Sequence, residues 1–269
     1  MFSMSAALAS LALYFPRERE GAHMEELRDF YDRIGTENGW DFSRVKCIAE
    51  GVKWDFYDEV AKRCRKSNFL LDIGTGGGER LLSLADAALL LVGIDNAAGM
   101  VETAQANAAA SGKANVRILP MDAKRIEFPD GFFDVASCRQ APFFAAEAAR
   151  VLKSGGVFLT QQVSEGDKRN LAEAFGRSQT TAEDGALRDK YVGELTEAGF
   201  REIRTMEYDA AEYYETAEDL VFLLMHTPIV PDFGKIEGDF TRLHRFIAEH
   251  RTGRGIRTNA KRFMISARK

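Results

Sequence analysis

Three glycines stand where a strand would turn into a helix and meet a ligand. Gly74, Gly76 and Gly78 follow the apolar run Phe69–Ile73 directly, and a helical pattern begins at Glu79. Glycine allows the sharp turn and the close approach of a ligand, and the amino end of the following helix offers N–H donors. Alone, such a loop is typical of a dinucleotide-binding domain or simply of a tight strand-to-helix turn.

Carboxylates accompany the first three predicted strands. Asp72 lies inside the end of the first strand, Asp95 ends the second, and Asp122 follows the third. A carboxylate at the position of Asp95 can accept hydrogen bonds from two ribose hydroxyls, and one at Asp122 can accept from an adenine amine. Alternatively, Asp72 caps the turn, and Asp122 forms an Asx turn before Lys124. Together with the glycines, these carboxylates favour a site for an adenosine-containing cofactor.

Four segments in this order resemble the successive motifs of class I S-adenosylmethionine (SAM)-dependent methyltransferases. They read LLDIGTGGGE, VGID, PMDAKRIEFPDGFFDV and ARVLKSGGVFLTQQV. The pattern is most similar to the group that contains the ubiquinone and menaquinone biosynthesis enzymes and trans-aconitate methyltransferase. The resemblance covers roughly residues 54–162 and the final strand, and it implies SAM as the cofactor.

The resemblance also implies a role for individual residues at the ends of the strands. The cofactor contacts that it assigns are Asp72, Gly74, Thr75, Gly76 and Gly78 for the methionine part, Asp95 for the ribose, Asn96 and Met100 for the borders of the adenine, Asp122 and Ala123 for its edge, and Arg139 near the sulfonium.

The sequence departs from the family after the fourth strand. The connection from Arg139 to Glu147 is short, which puts in doubt any transfer of substrate from the quinone enzymes. It also lacks the Asn/Asp-Pro-Pro-Tyr/Phe motif of many amine methyltransferases, which favours an oxygen or carbon acceptor over nitrogen. Cys138 could be a covalent nucleophile, but a buried strand thiol is the favoured interpretation.

Methyl transfer from a sulfonium needs alignment and exclusion of water more than it needs a base. If a base is used, His226 is the best candidate, because it ends a helical pattern in the predicted cap. A histidine near a helix carboxyl end is equally well explained by the helix dipole. The aromatic residues before the first strand, Trp40, Phe42 and Trp54 among them, form either a lid or a packing face.

Alternating strands and helices predict an α/β, Rossmann-like fold. We expect a seven-stranded, mostly parallel sheet with an antiparallel last strand, a helical N-terminal lid and a helical cap inserted before the last strand. The predicted division begins with a leader at 1–23, which we expect to be disordered or loosely packed, with Met24 as an alternative start. A lid at 24–66, a SAM-binding domain at 67–207, a cap at 208–259 and the final strand at 260–269 follow.

The net charge and the cysteine content limit the classes of partner and the location that we expect. The chain of 269 residues has a net charge of −5, which disfavours a nucleic-acid partner. Three widely spaced cysteines predict free thiols, no metal site and a cytoplasmic location. No membrane span is predicted.

We therefore expect a methyltransferase acting on a small molecule. An rRNA base methyltransferase, a nicotinamide dehydrogenase and a SAM-binding protein without catalysis are the alternatives. The dehydrogenase is disfavoured by the predicted antiparallel last strand and by Asp122, whereas the sequence does not reject a non-catalytic role.

Overall fold

The structure is a computed structural model that describes residues 45–178 and 180–269. The strands of this part of the chain are β1 (Cys47–Glu50), β2 (Phe69–Ile73), β3 (Leu90–Asp95), β4 (Val116–Pro120), β5 (Phe133–Arg139), β6 (Leu152–Val163), β7 (Arg201–Tyr214), β8 (Arg251–Thr252) and β9 (Gly255–Arg268). The helices are α1 (Phe56–Ala61), α2 (Glu79–Leu82), α3 (Ala98–Ser111), α4 (Ala145–Val151), α5 (Arg169–Phe175), α6 (Ala186–Glu197), α7 (Ala217–Met225) and α8 (Asp239–His250).

All these strands join one sheet in the order β1-β7-β9-β6-β5-β2-β3-β4, with β8 paired to β9. The strands from β2 to β6 pair in parallel. Strands β9, β7 and β1 extend the sheet with antiparallel pairs beyond β6. The order reverses between β2 and β5, and at such a point the carboxyl ends of parallel strands leave a crevice in which ligands bind.

The predicted α/β fold is confirmed, including the antiparallel last strand. All seven predicted strands are present, and β1 and β8 add to them within the described residues. The prediction missed β1 because four residues that alternate between exposed and half-buried give too short a pattern. Part of the predicted helical lid is therefore a strand, although α1 follows as expected. Residues 24–44 of that lid, with Trp40 and Phe42, and the leader at 1–23 lie outside the described residues.

The strands of the parallel part are apolar throughout because both faces of the sheet are covered. Leu71 and Ile73 lie in the core cluster beneath α4 and α6. Leu70 lies in the cluster on the opposite face, with residues of α1, α2 and α3. Burial on both faces explains why the apolar residues run continuously instead of alternating.

Strands β7 and β9 are long and pair along their whole length, from Arg201 with Arg268 to Tyr214 with Ile256. Only the last part of β9 also pairs with β6, as far as Val163 with Arg262. The two strands thus extend past the end of β6. The predicted cap boundaries, 208 and 259, fall inside this pairing, and the helical insertion covers 215–254.

The insertion has its own apolar core. A capping box between Thr216 and Asp219 begins α7, which packs with α8 and with α5, a helix that the sequence pattern did not predict. The core members are Leu171 and Phe175 of α5, Leu220, Leu223 and Leu224 of α7, and Leu243 and Phe246 of α8. Within the described residues, no helix combines the length and the apolar character that crossing a membrane requires.

Candidate functional site

The glycine-rich loop after β2 is held in the left-handed region of backbone conformation. Gly74, Gly76 and Gly78 have φ values of +70°, +57° and +78°. The amides of Gly74 and Thr75 donate to the carbonyl of Ile94 at 2.9 and 3.0 Å, which ties the loop to β3. A Cβ at Gly74 would lie 2.2 Å from the Cβ of Ala141. Glycine is therefore required at this position for both conformation and space.

Asp95, at the end of β3, organises the loop. Its Oδ2 accepts a hydrogen bond from the Gly76 amide at 2.9 Å, and its Oδ1 accepts from the Ala97 amide at 3.0 Å. The same residue's carbonyl accepts from the amide of Met121, which brings the end of β4 alongside. A carboxylate has about four acceptor positions in all. Asp95 therefore fixes the loop, and its predicted hydrogen bonds to a ribose stay a prediction.

Asp72 is fully buried beside the loop. Its Oδ1 accepts a hydrogen bond from Ser137 at 2.6 Å, and its Oδ2 accepts one from the hydroxyl of Tyr57 at 3.4 Å. Burial raises the pKa of Asp72 from 3.8 to about 6, and these hydrogen bonds keep the pKa from rising further. A buried carboxylate of this kind favours a cationic ligand group, because the cation would lower the energy of its ionised form.

The residues predicted to contact adenine lie near the ends of β3 and β4. Asn96 is exposed and Met100 is buried in the first turn of α3. Oδ1 of Asp122 accepts from the Lys124 amide at 2.8 Å, which is the Asx turn foreseen as the alternative. Ala123 is half-buried next to it. The turn uses one carboxylate oxygen, so the predicted adenine contact of Asp122 stays a prediction.

Arg139 ends β5 beside Tyr57, and its guanidinium lies 5.9 Å from the centre of that ring. Arg80 approaches the same ring at 5.8 Å and donates to Asp55 at 3.1 Å. Burial lowers the pKa of Arg139, and the positive charges of Arg80 and Arg262 lower it further. The predicted position of Arg139 near a sulfonium stays a prediction.

Gln140, directly after β5, is a site feature that the sequence analysis missed. It has φ +55°, a conformation that is uncommon for residues other than glycine, and it is 2% exposed. Among the described residues, its side-chain oxygen has no hydrogen-bond partner. Buried polar atoms are normally paired, so the unpaired oxygen of Gln140 is an exception among the described residues. No local sequence pattern signals a positive φ at a glutamine.

Cys138 and His226 are the residues that the sequence analysis considered as a nucleophile and as a base. Cys138 is fully buried in β5, and burial raises the pKa of its thiol, in line with the structural interpretation. Nδ1 of His226 is hydrogen-bonded to the Phe222 carbonyl at 2.8 Å, and its ring stacks on Phe222 at 4.0 Å. These contacts hold His226 to its own helix, and its predicted role as a base stays a prediction.

The structure brings together most of the predicted cofactor residues, and it adds neighbours that the sequence did not single out as a set. Trp54 donates to Gln161 at 2.7 Å and packs edge-on against Tyr208, with ring centres 4.7 Å apart. Arg262 is buried and paired with Asp167. Strand alternation could have indicated which of these side chains share a face, but not which strands are adjacent.

In the described part of the chain, no cluster of histidine, cysteine and acidic residues has the arrangement of a metal site.

The sequence of the chain is similar to those of known methyltransferases. Residues 71–160 match the family model described as a methyltransferase domain. The uncharacterized methyltransferase YcgJ of Bacillus subtilis is 36% identical over 131 residues, which are 46% of this chain and 51% of that protein. A malonyl-[acyl-carrier protein] O-methyltransferase of Geobacter sulfurreducens is 28% identical over 163 residues, 54% of this chain and 60% of that protein. The chain thus spans about half to three-fifths of the length of these relatives.

Solved structures share the fold. The crystal structure of YcgJ superimposes with a TM-score of 0.59 and 20% identity, covering 79% of this chain and 97% of that one. The structure of the [4+2]-cyclase SpnF gives a TM-score of 0.58 and 19% identity, covering 98% of this chain and 99% of that one. At this level of identity the likeness concerns the fold alone.

Proposed function

We propose that the chain is a class I SAM-dependent methyltransferase and that it methylates a small-molecule acceptor at oxygen or carbon. The observation that carries the proposal is the position of Asp72, Asp95 and Asp122 at or beside the ends of three neighbouring parallel strands, around a loop that requires glycine. This arrangement supplies acceptors for an ammonium, a ribose and an amine in sequence.

The residues fit SAM by their chemistry. Asp72 would accept from the ammonium of the methionine part, Asp95 from the ribose hydroxyls, and Asp122 from the adenine amine, with Asn96, Met100 and Ala123 at its border. When bound, SAM supplies an electrophilic methyl group whose bonding electrons remain on sulfur as the acceptor forms the new bond.

The protein's own contribution is alignment and exclusion of water. Trp54 and Tyr57 precede β2 and pack over the carboxyl ends of the strands, through contacts with Gln161 and Asp72. We propose that the segment with Trp54 and Tyr57 and the insertion between β7 and β9 border the acceptor site on two sides. Oxygen is the preferred acceptor atom, because one relative is named as an O-methyltransferase.

Calorimetric titration with SAM tests the cofactor assignment. Asp95→Ala should weaken SAM binding by roughly 1–3 kcal/mol if the carboxylate binds the ribose. Asp86→Ala is the matched control, since its side chain is 92% exposed on the surface. Thermal unfolding of each variant separates loss of binding from loss of the fold. SAM affinity unchanged in Asp95→Ala would refute the assignment of Asp95 to the ribose, and the absence of SAM binding in the wild type would refute the proposal.

A second candidate is a SAM-binding protein that does not transfer methyl groups. The structural likeness to a [4+2]-cyclase supports this second candidate, because proteins of one fold can carry out different chemistry. Labelled SAM incubated with a metabolite extract and, separately, with total RNA distinguishes the candidates. Label in the extract supports the small-molecule enzyme, label in RNA supports an rRNA methyltransferase, and label in neither supports a SAM-binding protein that does not transfer methyl groups.

We further propose a cytoplasmic location. Cys47 and Cys64 are free and half-buried, and Cys138 is free and buried. Burial raises the pKa of Cys47 to about 12 and that of Cys64 to about 11, which keeps both thiols protonated. Free thiols are typical of a reducing compartment.

A further inference from the structure

A glutamine lies in the apolar interior near the end of β6. Gln162 is fully buried. It lies two residues after Thr160, which pairs with Cys138 of β5, so its side chain is on the same side of the sheet as Cys138. That side holds the core cluster beneath α4 and α6, to which Cys138 belongs. Glutamine is uncommon in such a place, because a buried amide must find hydrogen-bond partners.

The side-chain amide of Gln162 has partners at its nitrogen. Nε2 donates to the carbonyl oxygen of Ala141 at 3.0 Å and to the hydroxyl of Thr160 at 2.7 Å. Since a carbonyl oxygen only accepts, the nitrogen must be the end of the amide that points to Ala141. Among the described residues, Oε1 of Gln162 has no hydrogen-bond partner. An unpaired buried oxygen lowers stability, so packing alone would favour a methionine of similar length at this position.

The Ala141 carbonyl belongs to the turn that follows β5, which we call the Gln140–Ala141 turn. The thiol of Cys138 donates to the same carbonyl at 3.1 Å, and the Gln140 amide donates to the Gln161 carbonyl at 2.8 Å. Gln140 has φ +55°, which is uncommon for a residue other than glycine. Contacts with β5 and β6 therefore hold the turn in a conformation that the chain would not favour by itself.

The Gln140–Ala141 turn lies against the glycine-rich loop. A Cβ built at Gly74 would lie 2.2 Å from the Cβ of Ala141, so the Ala141 methyl group fills the space that glycine leaves open. On its other side the loop is bound to β3, because the amides of Gly74 and Thr75 donate to the Ile94 carbonyl. The loop thus lies between β3 and Ala141, and a shift of Ala141 would change the space available to it.

We propose that Gln162 is a positioning residue for the cofactor: by binding the Ala141 carbonyl, it fixes the Gln140–Ala141 turn against Gly74 and keeps the loop in its ligand-binding conformation. This inference rests on the proposed function, because it takes SAM to bind at the loop. Gln162 acts through Ala141 and does not itself touch the cofactor. Residues behind a binding site commonly hold the contacting groups in place in this way.

A purely structural role for Gln162 predicts a different result. If the amide only completed the packing of β6, its replacement would change the free energy of unfolding and leave the SAM affinity of the folded protein unchanged. If the amide positions the turn, SAM affinity falls even in a variant that is as stable as the wild type. Measuring SAM affinity and stability on the same variant therefore separates the two roles.

Calorimetric titration of the full chain with SAM, together with urea unfolding of each variant, tests the inference. Gln162→Met keeps the length of the side chain and removes both donors. It should raise the Kd for SAM by roughly five- to tenfold, the effect expected when one neutral hydrogen bond is lost. Gln105→Met is the matched control, because Gln105 is an exposed residue of α3 whose Nε2 also donates to a backbone carbonyl, that of Ile118, at 3.2 Å. Its SAM affinity should equal that of the wild type.

A double variant shows whether Gln162 acts through Ala141. Ala141→Gly removes the methyl group that lies against Gly74. In that background Gln162→Met should weaken SAM binding by less than it does in the wild-type background, because the two changes act on the same contact. Equal effects in both backgrounds would overturn the inference.

Thr160→Val carries the test if Gln162→Met does not fold. It removes the hydroxyl that accepts from Gln162 and leaves the amide itself in place. It should raise the Kd for SAM by roughly two- to threefold, since the bond to Ala141 is weakened but not removed. Wild-type SAM affinity in whichever of these two variants folds overturns the inference while the proposed function stands. If SAM does not bind the wild type, the proposed function itself fails, and this inference fails with it.

Discussion

The amide of Gly76 donates a hydrogen bond to the carboxylate of Asp95 over 2.9 Å. The acid at the end of β3 thereby fixes the loop at the end of β2. The residue expected to bind the ribose thus also shapes the loop expected to hold the methionine part. Substitution of Asp95 should therefore affect both loop geometry and ligand binding, which is why unfolding must be measured alongside affinity.

Gly74→Ala should destabilise the protein by roughly 2–5 kcal/mol, because φ is +70° and the new Cβ would lie 2.2 Å from the Cβ of Ala141. Gly112→Ala is the matched control, with φ +66° and open space around its Cβ, and should cost about 1–2 kcal/mol. The double variant Gly74→Ala/Ala141→Gly should recover most of the difference. Urea unfolding measures all three, and equal losses at Gly74 and Gly112 would contradict the steric argument.

SAM binding should depend on pH through Asp72. Its pKa in the folded protein is about 6, and an ammonium ligand favours the ionised form. Affinity should be full above pH 6 and should fall by up to about tenfold per pH unit below it. Asp72→Asn should bind SAM weakly with no such dependence. Calorimetry between pH 5 and 7.5 checks this, and a wild-type affinity that stays flat over that range would argue against Asp72 as the ammonium partner.

The stability of the ligand-free protein should depend on pH in the opposite direction from SAM affinity. The pKa of Asp72 is raised in the folded state, so the folded state binds more protons than the unfolded state between pH 3.8 and about 6. This group's contribution to the free energy of unfolding therefore falls as pH rises through that window. Asp72→Asn should stabilise the ligand-free protein at pH 7 by roughly 1–3 kcal/mol, and the gain should vanish near pH 4. Urea unfolding at both pH values measures it, and an equal effect at both would refute the pKa shift.

Tyr57→Phe should move the pH midpoint of SAM binding upward, because the tyrosine hydroxyl helps to hold the pKa of Asp72 down. The effect should be modest, since the two oxygens are 3.4 Å apart. Tyr191→Phe is the control: this tyrosine is equally buried, but it lies in the core cluster on the other face of the sheet. A shift of the same size in both variants would exclude a specific role for Tyr57.

Lys168 and Glu212 form a buried ion pair, with both side chains at most 6% exposed. Glu212 also accepts from the Tyr214 hydroxyl at 3.1 Å, and Lys168 donates to the Asn259 carbonyl at 2.9 Å. Lys168→Met leaves a buried carboxylate without its partner and should cost about 3–5 kcal/mol. Lys46→Met, which breaks an exposed pair with Glu215, should cost less than about 1 kcal/mol. Similar losses in urea unfolding would contradict this difference.

The sequence by itself determined the α/β fold and the elements that carry the cofactor residues. Continuous apolar runs such as Phe69–Ile73 indicate a strand that is buried on both faces of the sheet. A glycine loop between such a run and a helix indicates a tight turn. These signals are local: they depend on residues within a few positions of one another. Acidic residues at the ends of β2 and β3 could therefore be assigned to one edge of a parallel sheet without knowing the strand order.

Only the tertiary structure decided what surrounds these residues. Tyr57 meets Asp72 because α1 packs against β2, and Arg262 lies opposite Tyr208 because β7 and β9 pair in a particular register. A shift of one residue in that register would turn each side chain to the other face. Register depends on packing across the whole sheet, so the pairing of Arg262 with Tyr208 and the buried Lys168–Glu212 ion pair have no local sequence signal. The surroundings of Tyr57 and Arg262 depend on these long-range contacts, whereas the glycines of the loop after β2 are neighbours in the chain.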